Sequence, residues 1–114
     1  MNWNKLETLE QLDQIQKQSK ETQVLIFKHS TRCSTSRMVL DRLERNWNVD
    51  EMVNIKPYFL DLISHREISN QIAVQYDVDH QSPQVLIIKN GNAIYDSSHM
   101  GIDYDIVKKI ASSE

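Results

Sequence analysis

The chain has 114 residues, 39% hydrophobic and 25% charged, enough for a single domain spanning 1–114 around one core. A net charge of −3 argues against nucleic-acid binding, which calls for a basic balance. The longest apolar runs are four residues and the N-terminus Met1-Asn2-Trp3-Asn4-Lys5-Leu6 carries no apolar stretch, so neither a membrane span nor a secretory signal is expected.

Leu6, Leu9, Leu12 and Ile15 recur every three residues among polar ones and predict a first helix. After the polar break Ser19–Gln23, the run Val24-Leu25-Ile26-Phe27 predicts a buried strand. Lys28-His29-Ser30-Thr31-Arg32 leads out of it, and Cys33-Ser34-Thr35-Ser36 opens a helical pattern through Met38, Val39, Leu40, Leu43 and Trp47. Pro57 is expected to open a second strand, Tyr58–Leu62, because proline is tolerated at a first position or an edge. Ser64 and Glu67 have the spacing of a capping box, ahead of Ile68, Ile72 and Tyr76 on one helix face.

Asp77–Ser82 is a polar connection into Pro83, and Val85-Leu86-Ile87-Ile88 reads as a strand covered on both faces. Asn90-Gly91 signals a hairpin with Ala93–Asp96 returning. Gly101 breaks the chain, and Asp103 is placed to cap a last helix bearing Ile106, Val107 and Ile110. The order predicts an α/β fold: a mixed sheet of about four strands, helices on both faces and an extra N-terminal helix. Right-handed crossovers make the first two strands parallel, and the closing hairpin adds an antiparallel pair.

Cys33 is the only cysteine, so an internal disulfide is excluded, no oxidising compartment is implied and a cytoplasmic protein is expected. Its place at a strand-to-helix junction points helix N–H groups and the positive end of the helix dipole at the sulfur. That favours thiolate, the reactive form: a thiol of pKa ~8.5 is only about 3% ionised at pH 7. Arg32 and Arg37 supply positive charge there, or are solvated surface charges. Ser36, one helical turn on, is placed to donate to the thiolate, or is simply a polar first-turn residue. His29 is either a base or a hydrogen-bonded structural residue. His65 and His80 read as solvated; His99 either borders the site through the final turn or, the simpler reading, plays no part in it. No metal-ligand spacing links Cys33 to these histidines, so no metal is expected. Trp3, Trp47, Tyr58 and Phe59 read as packing residues.

A cysteine after the first core strand and a proline before the third resemble the thioredoxin-like fold. There the proline, here Ser82-Pro83, is cis and lies beside the thiol. The segment Phe27-Lys28-His29-Ser30-Thr31-Arg32-Cys33-Ser34-Thr35-Ser36 further resembles the active-site stretch of the YtxJ family, the monothiol bacilliredoxins, with pattern Thr-x-Cys-Pro-x-Ser. Thr31, Cys33 and Ser36 match, while Ser34 replaces the proline; Ser82-Pro83-Gln84, Asn90-Gly91 and Ser98-His99 also resemble the family. Serine at 34 adds an N–H and loosens the turn, which bears on rate and reduction potential rather than on reaction class.

The resemblance implies a thiol–disulfide oxidoreductase in which Cys33 is the nucleophile and Ser36 supports the thiolate. Thr31, Arg32, Ser34, Ser82 and Pro83 would line the substrate groove. It implies no bound cofactor, bacillithiol as co-substrate, and bacillithiolated proteins as partners, with neither nucleic acid nor membrane involved. With no second cysteine, Cys33 can hold one partner but cannot release it unaided. A deglutathionylating glutaredoxin-like enzyme, a non-catalytic adaptor, an iron–sulfur carrier and an inert buried thiol are the competing readings.

Overall fold

The computed structural model describes residues 1–112. In chain order the elements are β1 (Asn4–Lys5), α1 (Leu9–Gln18), β2 (Gln23–His29), α2 (Ser34–Asn46), β3 (Ile55–Asp61), α3 (Arg66–Tyr76), β4 (Gln84–Lys89), β5 (Asn92–Ser98), a 3-10 turn (His99–Gly101) and α4 (Tyr104–Ser112). The sheet order is β1-β3-β2-β4-β5; β1, β3 and β2 run parallel, and β4 and β5 continue antiparallel.

β2 lies at the centre because every one of its residues can be covered. Val24 and Ile26 point to the face packed by Leu12 and Ile15 of α1 and Ile68 and Ile72 of α3. Leu25 and Phe27 point to the other face, against Val39, Leu40 and Leu43 of α2 and Tyr104, Val107 and Ala111 of α4. This two-residue alternation, with helices on both sides, is why the segment reads as an unbroken apolar run.

Among the described residues there are five strands where about four were expected. The addition is β1, two exposed polar residues that pair with Tyr58 and Phe59 of β3. Leu6 follows it into the core, so α1 starts later than its apolar spacing suggests, at Leu9, and Leu9 is exposed. Thr8 and Gln11 form a capping box there: Thr8 Oγ1 accepts from the Gln11 amide and Gln11 Oε1 from that of Thr8.

β3 starts two residues before Pro57, at Ile55. The Leu6 amide donates to the Phe59 carbonyl, and Asn4 Nδ2 donates to that of Pro57. The polar groups of these alternate residues therefore face β1, and Pro57's missing N–H falls on the outer side rather than in the ladder to β2. The capping box expected at Ser64 does not form. His65 is the N-cap of α3 without a side-chain cap, and Ser64 Oγ donates instead to Asp61 Oδ2. Asp61 also accepts the Ile63 and Ser64 amides, so this carboxylate shapes the turn that the serine was expected to cap.

The hairpin is as expected at Asn90-Gly91, with φ of 53° and 78°. Glycine suits position 91 because of its φ of 78°; a Cβ there would also lie 2.5 Å from Nε2 at the flexible end of Gln16. The returning strand is longer than Ala93–Asp96, running Asn92–Ser98. Asp103 immediately precedes α4, and its carbonyl accepts from Val107.

Candidate active site

Where β2 ends, the Cys33 amide donates to the Ser30 carbonyl, closing a turn. Cys33 is the N-cap of α2: its carbonyl takes the first helical bond, from Arg37, while its side chain makes no capping hydrogen bond. The half-buried thiol therefore sits among first-turn N–H groups that have no partner within the helix. The first turn carries no acidic residue, and the exposed Arg32 and Arg37 flank the site with positive charge. Arg37 reaches Asp41 only at 4.0 Å, between largely exposed side chains, so its charge is weakly neutralised.

Ser36, at the N3 position of α2, is fully buried. Its Oγ accepts from the Ser30 amide at 3.1 Å and shares a 2.7 Å hydrogen bond with His29 Nδ1. These contacts draw the end of β2 onto the first turn of α2, with the thiol in the loop between them. His29 itself is buried, its ring 5.4 Å from that of Phe59 and 6.3 Å from that of Phe27. Burial is the main cause that pushes its pKa below the ordinary 6.5, helped by Arg37 and opposed by Asp61, Asp41 and Glu44.

The register Lys28↔Gln84 sets the Ser30–Cys33 turn and the Ser82-Pro83 segment at the same end of the sheet. The Ser82-Pro83 bond is cis. Pro83 is buried and its carbonyl accepts from His99, so the backbone of His99 borders this segment. The Arg42 guanidinium of α2 donates to the carbonyls of Met100 and Ile102, tying the 3-10 turn to the cysteine helix. Thr31, Arg32 and Ser34 are exposed on the loop and first turn; Ser82 is half-buried, with an Oγ that lacks a partner. His65 is half-buried at the head of α3, while His80 is exposed, its Nδ1 3.3 Å from Ser69 Oγ. Trp3 packs edge-on to Phe27 and Phe59 and donates to Glu44 of α2.

Sequence reasoning missed Lys28. It is fully buried with no hydrogen bond at Nζ, and desolvation lowers its pKa from 10.5 to about 8. Its signal was present, as a lysine continuing a run of four apolar residues directly into the strand end.

A parallel strand–helix–strand unit followed by an antiparallel hairpin, with a thiol at a helix N-cap and a cis-proline heading the neighbouring strand, defines a thioredoxin-fold protein of the thiol–disulfide oxidoreductase class. Solved structures agree. The chain superposes on a candidate oxidoreductase with a thioredoxin fold at a TM-score of 0.78 and 27% identity, covering 92% of this chain and 89% of that one. The thioredoxin of Malassezia sympodialis gives 0.76 at 15% identity over 97% and 89% of the two chains, and that of Fasciola hepatica 0.70 at 16% over 96% of each. The sequence model of the family described as monothiol bacilliredoxin BrxC matches residues 4–107, and the chain belongs to that family.

Proposed function

We propose that this protein removes bacillithiol from protein mixed disulfides through Cys33, in the cytoplasm. The observation that carries the reading is the pairing of a single cysteine at the α2 N-cap with a serine at N3, where a dithiol enzyme would carry its resolving thiol. The Cys33 thiolate attacks the bacillithiol sulfur, forming a Cys33–bacillithiol disulfide as the target's thiolate leaves and takes a proton. A second bacillithiol thiolate then attacks the bacillithiol sulfur held on Cys33. This gives bacillithiol disulfide and frees Cys33, which is the step a serine at position 36 cannot perform. Which sulfur is attacked depends on approach, so Thr31, Arg32, Ser34, Ser82 and Pro83 are assigned to the groove that presents the substrate. Arg32 and Arg37 offer charge to the carboxylates of bacillithiol.

Intact mass after incubation with a bacillithiolated substrate, beside a glutathionylated one, tests this. One bacillithiol adduct on the wild type, none on Cys33→Ser and release of the substrate thiol is the expected result. A preference for glutathione overturns the thiol assignment in favour of deglutathionylation. No adduct from either substrate on folded protein overturns the exchange reading as a whole, and partner binding retained by Cys33→Ala would then identify an adaptor.

A further inference from the structure

We propose that the surface around Cys33 selects target proteins whose mixed-disulfide cysteine is flanked by aspartate or glutamate. This rests on the exchange reading above and names the kind of polypeptide that the reading leaves open. The chain as a whole is acidic, with a net charge of −3, yet the segments that meet at the thiol carry no carboxylate. No aspartate or glutamate stands between Glu21 and Asp41, a stretch that holds β2, the Ser30–Cys33 turn and the first turns of α2. None stands between Asp79 and Asp96, which bracket Ser82-Pro83, nor between Asp96 and Asp103, which bracket the 3-10 turn.

Arginines supply the charge there. Arg32 adjoins Cys33 in the chain, and the Arg37 amide donates to the Cys33 carbonyl at 3.2 Å, so both residues stand beside the cysteine. Both are exposed. Among the described residues Arg32 and Arg42 form no ion pair, and Arg37 reaches Asp41 only at 4.0 Å. Arg42 donates to the Met100 and Ile102 carbonyls, which are neutral and leave its charge uncancelled. In the loop before Pro83, the charges that reach His80 are those of Lys28 and Arg66, again both positive. Asp41, Glu44 and Asp61 do reach His29, but Glu44 is turned to the Trp3 indole and Asp61 belongs to β3, across β2 from β4. The lining at Ser82-Pro83 and the 3-10 turn, on the β4 side, contributes no carboxylate.

A target's own charges come close enough to feel this field. The target sulfur is one S–S bond, about 2 Å, beyond the sulfur that Cys33 attacks, and its chain neighbours follow at steps of about 3.8 Å. Side chains next to that cysteine therefore lie within a Debye length, about 10 Å at 0.1 M salt. Complementary charge at such a range acts mainly on the rate of productive encounter and on the choice of partner.

The test compares one short peptide in three versions, its cysteine flanked by aspartate, asparagine or lysine and held as a mixed disulfide with uncharged β-mercaptoethanol. Loss of the peptide disulfide is followed by chromatography and mass for the wild type, Arg32→Gln, Arg37→Gln and the double variant. Free β-mercaptoethanol attacking the same peptides is the reference, because any thiolate is repelled by carboxylates beside its target. Relative to that reference, the wild type is expected to consume the aspartate peptide about fivefold faster than the lysine peptide at low salt, with asparagine between them. The preference should fall below about twofold in the double variant, and also at about 1 M salt, where the Debye length is about 3 Å. The arginines also favour the Cys33 thiolate, but that effect speeds every peptide equally and leaves the ratio unchanged. A wild-type ratio near one, a preference for lysine, or a preference that survives removal of both arginines overturns the proposal and leaves the exchange reading standing. Folded protein that consumes none of the peptide disulfides overturns the exchange reading, and this proposal with it.

Discussion

Lys28 on β2 lies directly across from Gln84 on β4, and neither the Lys28 amine nor Gln84 Oε1 has a hydrogen-bond partner. A positive charge held in this position works against folding. The amine's pKa falls from 10.5 in an exposed chain to about 8 in the fold. Below pH 8 both states are protonated and the full cost, about 3 kcal/mol, is present. Between pH 8 and 10.5 the unfolded chain holds the proton more firmly, so stability rises with pH through that window. Lys28→Met is expected to stabilise the protein by about 1–3 kcal/mol at pH 7, with the gain shrinking toward pH 10.5. Urea midpoints of both proteins at neutral and alkaline pH check this, and a gain that is absent at pH 7 or independent of pH would sink it.

Ser36→Cys would place a second thiol where the chain has a hydroxyl. The expected product of mixed-disulfide attack is then an internal disulfide with position 33 rather than a lasting adduct, read by mass as the loss of a hydrogen pair. The same change removes the acceptor of the Ser30 amide and the partner of His29, at about 1–3 kcal/mol in stability. A persistent adduct with unchanged stability would contradict both parts.

Gly91→Ala meets two obstacles, the φ of 78° and the approach of Gln16 Nε2 to the new methyl group. The amide is the end of a flexible side chain and moves aside, so the backbone conformation dominates, at about 1–2 kcal/mol. Denaturation in urea should show that loss while the alkylation rate of Cys33 is unchanged. A slowed alkylation would mean that the hairpin reaches the site.

Arg42→Met cuts the link from α2 to the Met100 and Ile102 carbonyls. This is expected to loosen the 3-10 turn whose His99 amide holds the Pro83 carbonyl. Exchange with a protein mixed disulfide should slow about tenfold, since a charged hydrogen bond is worth about 1.5 kcal/mol. Alkylation by a small reagent should keep its rate. Equal slowing of both would show that Arg42 acts on the thiol itself.

What the sequence disclosed and what it withheld have physical reasons. β2 and β4 were legible because both faces of each are covered, which demands an apolar residue at nearly every position. Ile68, Ile72 and Tyr76 were legible because α3 has one covered face. β1 was not, since Asn4 and Lys5 have no strand pattern of their own and become a strand only by pairing with β3. Cys33 stood out by its place at a junction, and the residue is the N-cap of α2, though its side chain makes no capping hydrogen bond. The His29–Ser36 contact joins a strand end to a helix seven positions away, and no local periodicity reports such a pair. Lys28 was passed over because lysine is almost never fully buried.

The two residues of β1 leave the start of β3, at Ile55 and Lys56, with no strand beside it on that side. An open strand edge is a template on which another chain can lay down its own backbone and begin to aggregate. Pro57 turns toward this edge a ring where a strand would offer an amide donor, and so denies an incoming backbone one of the bonds it would need. The proline that made the strand harder to recognise also keeps its open margin from being extended by a neighbour.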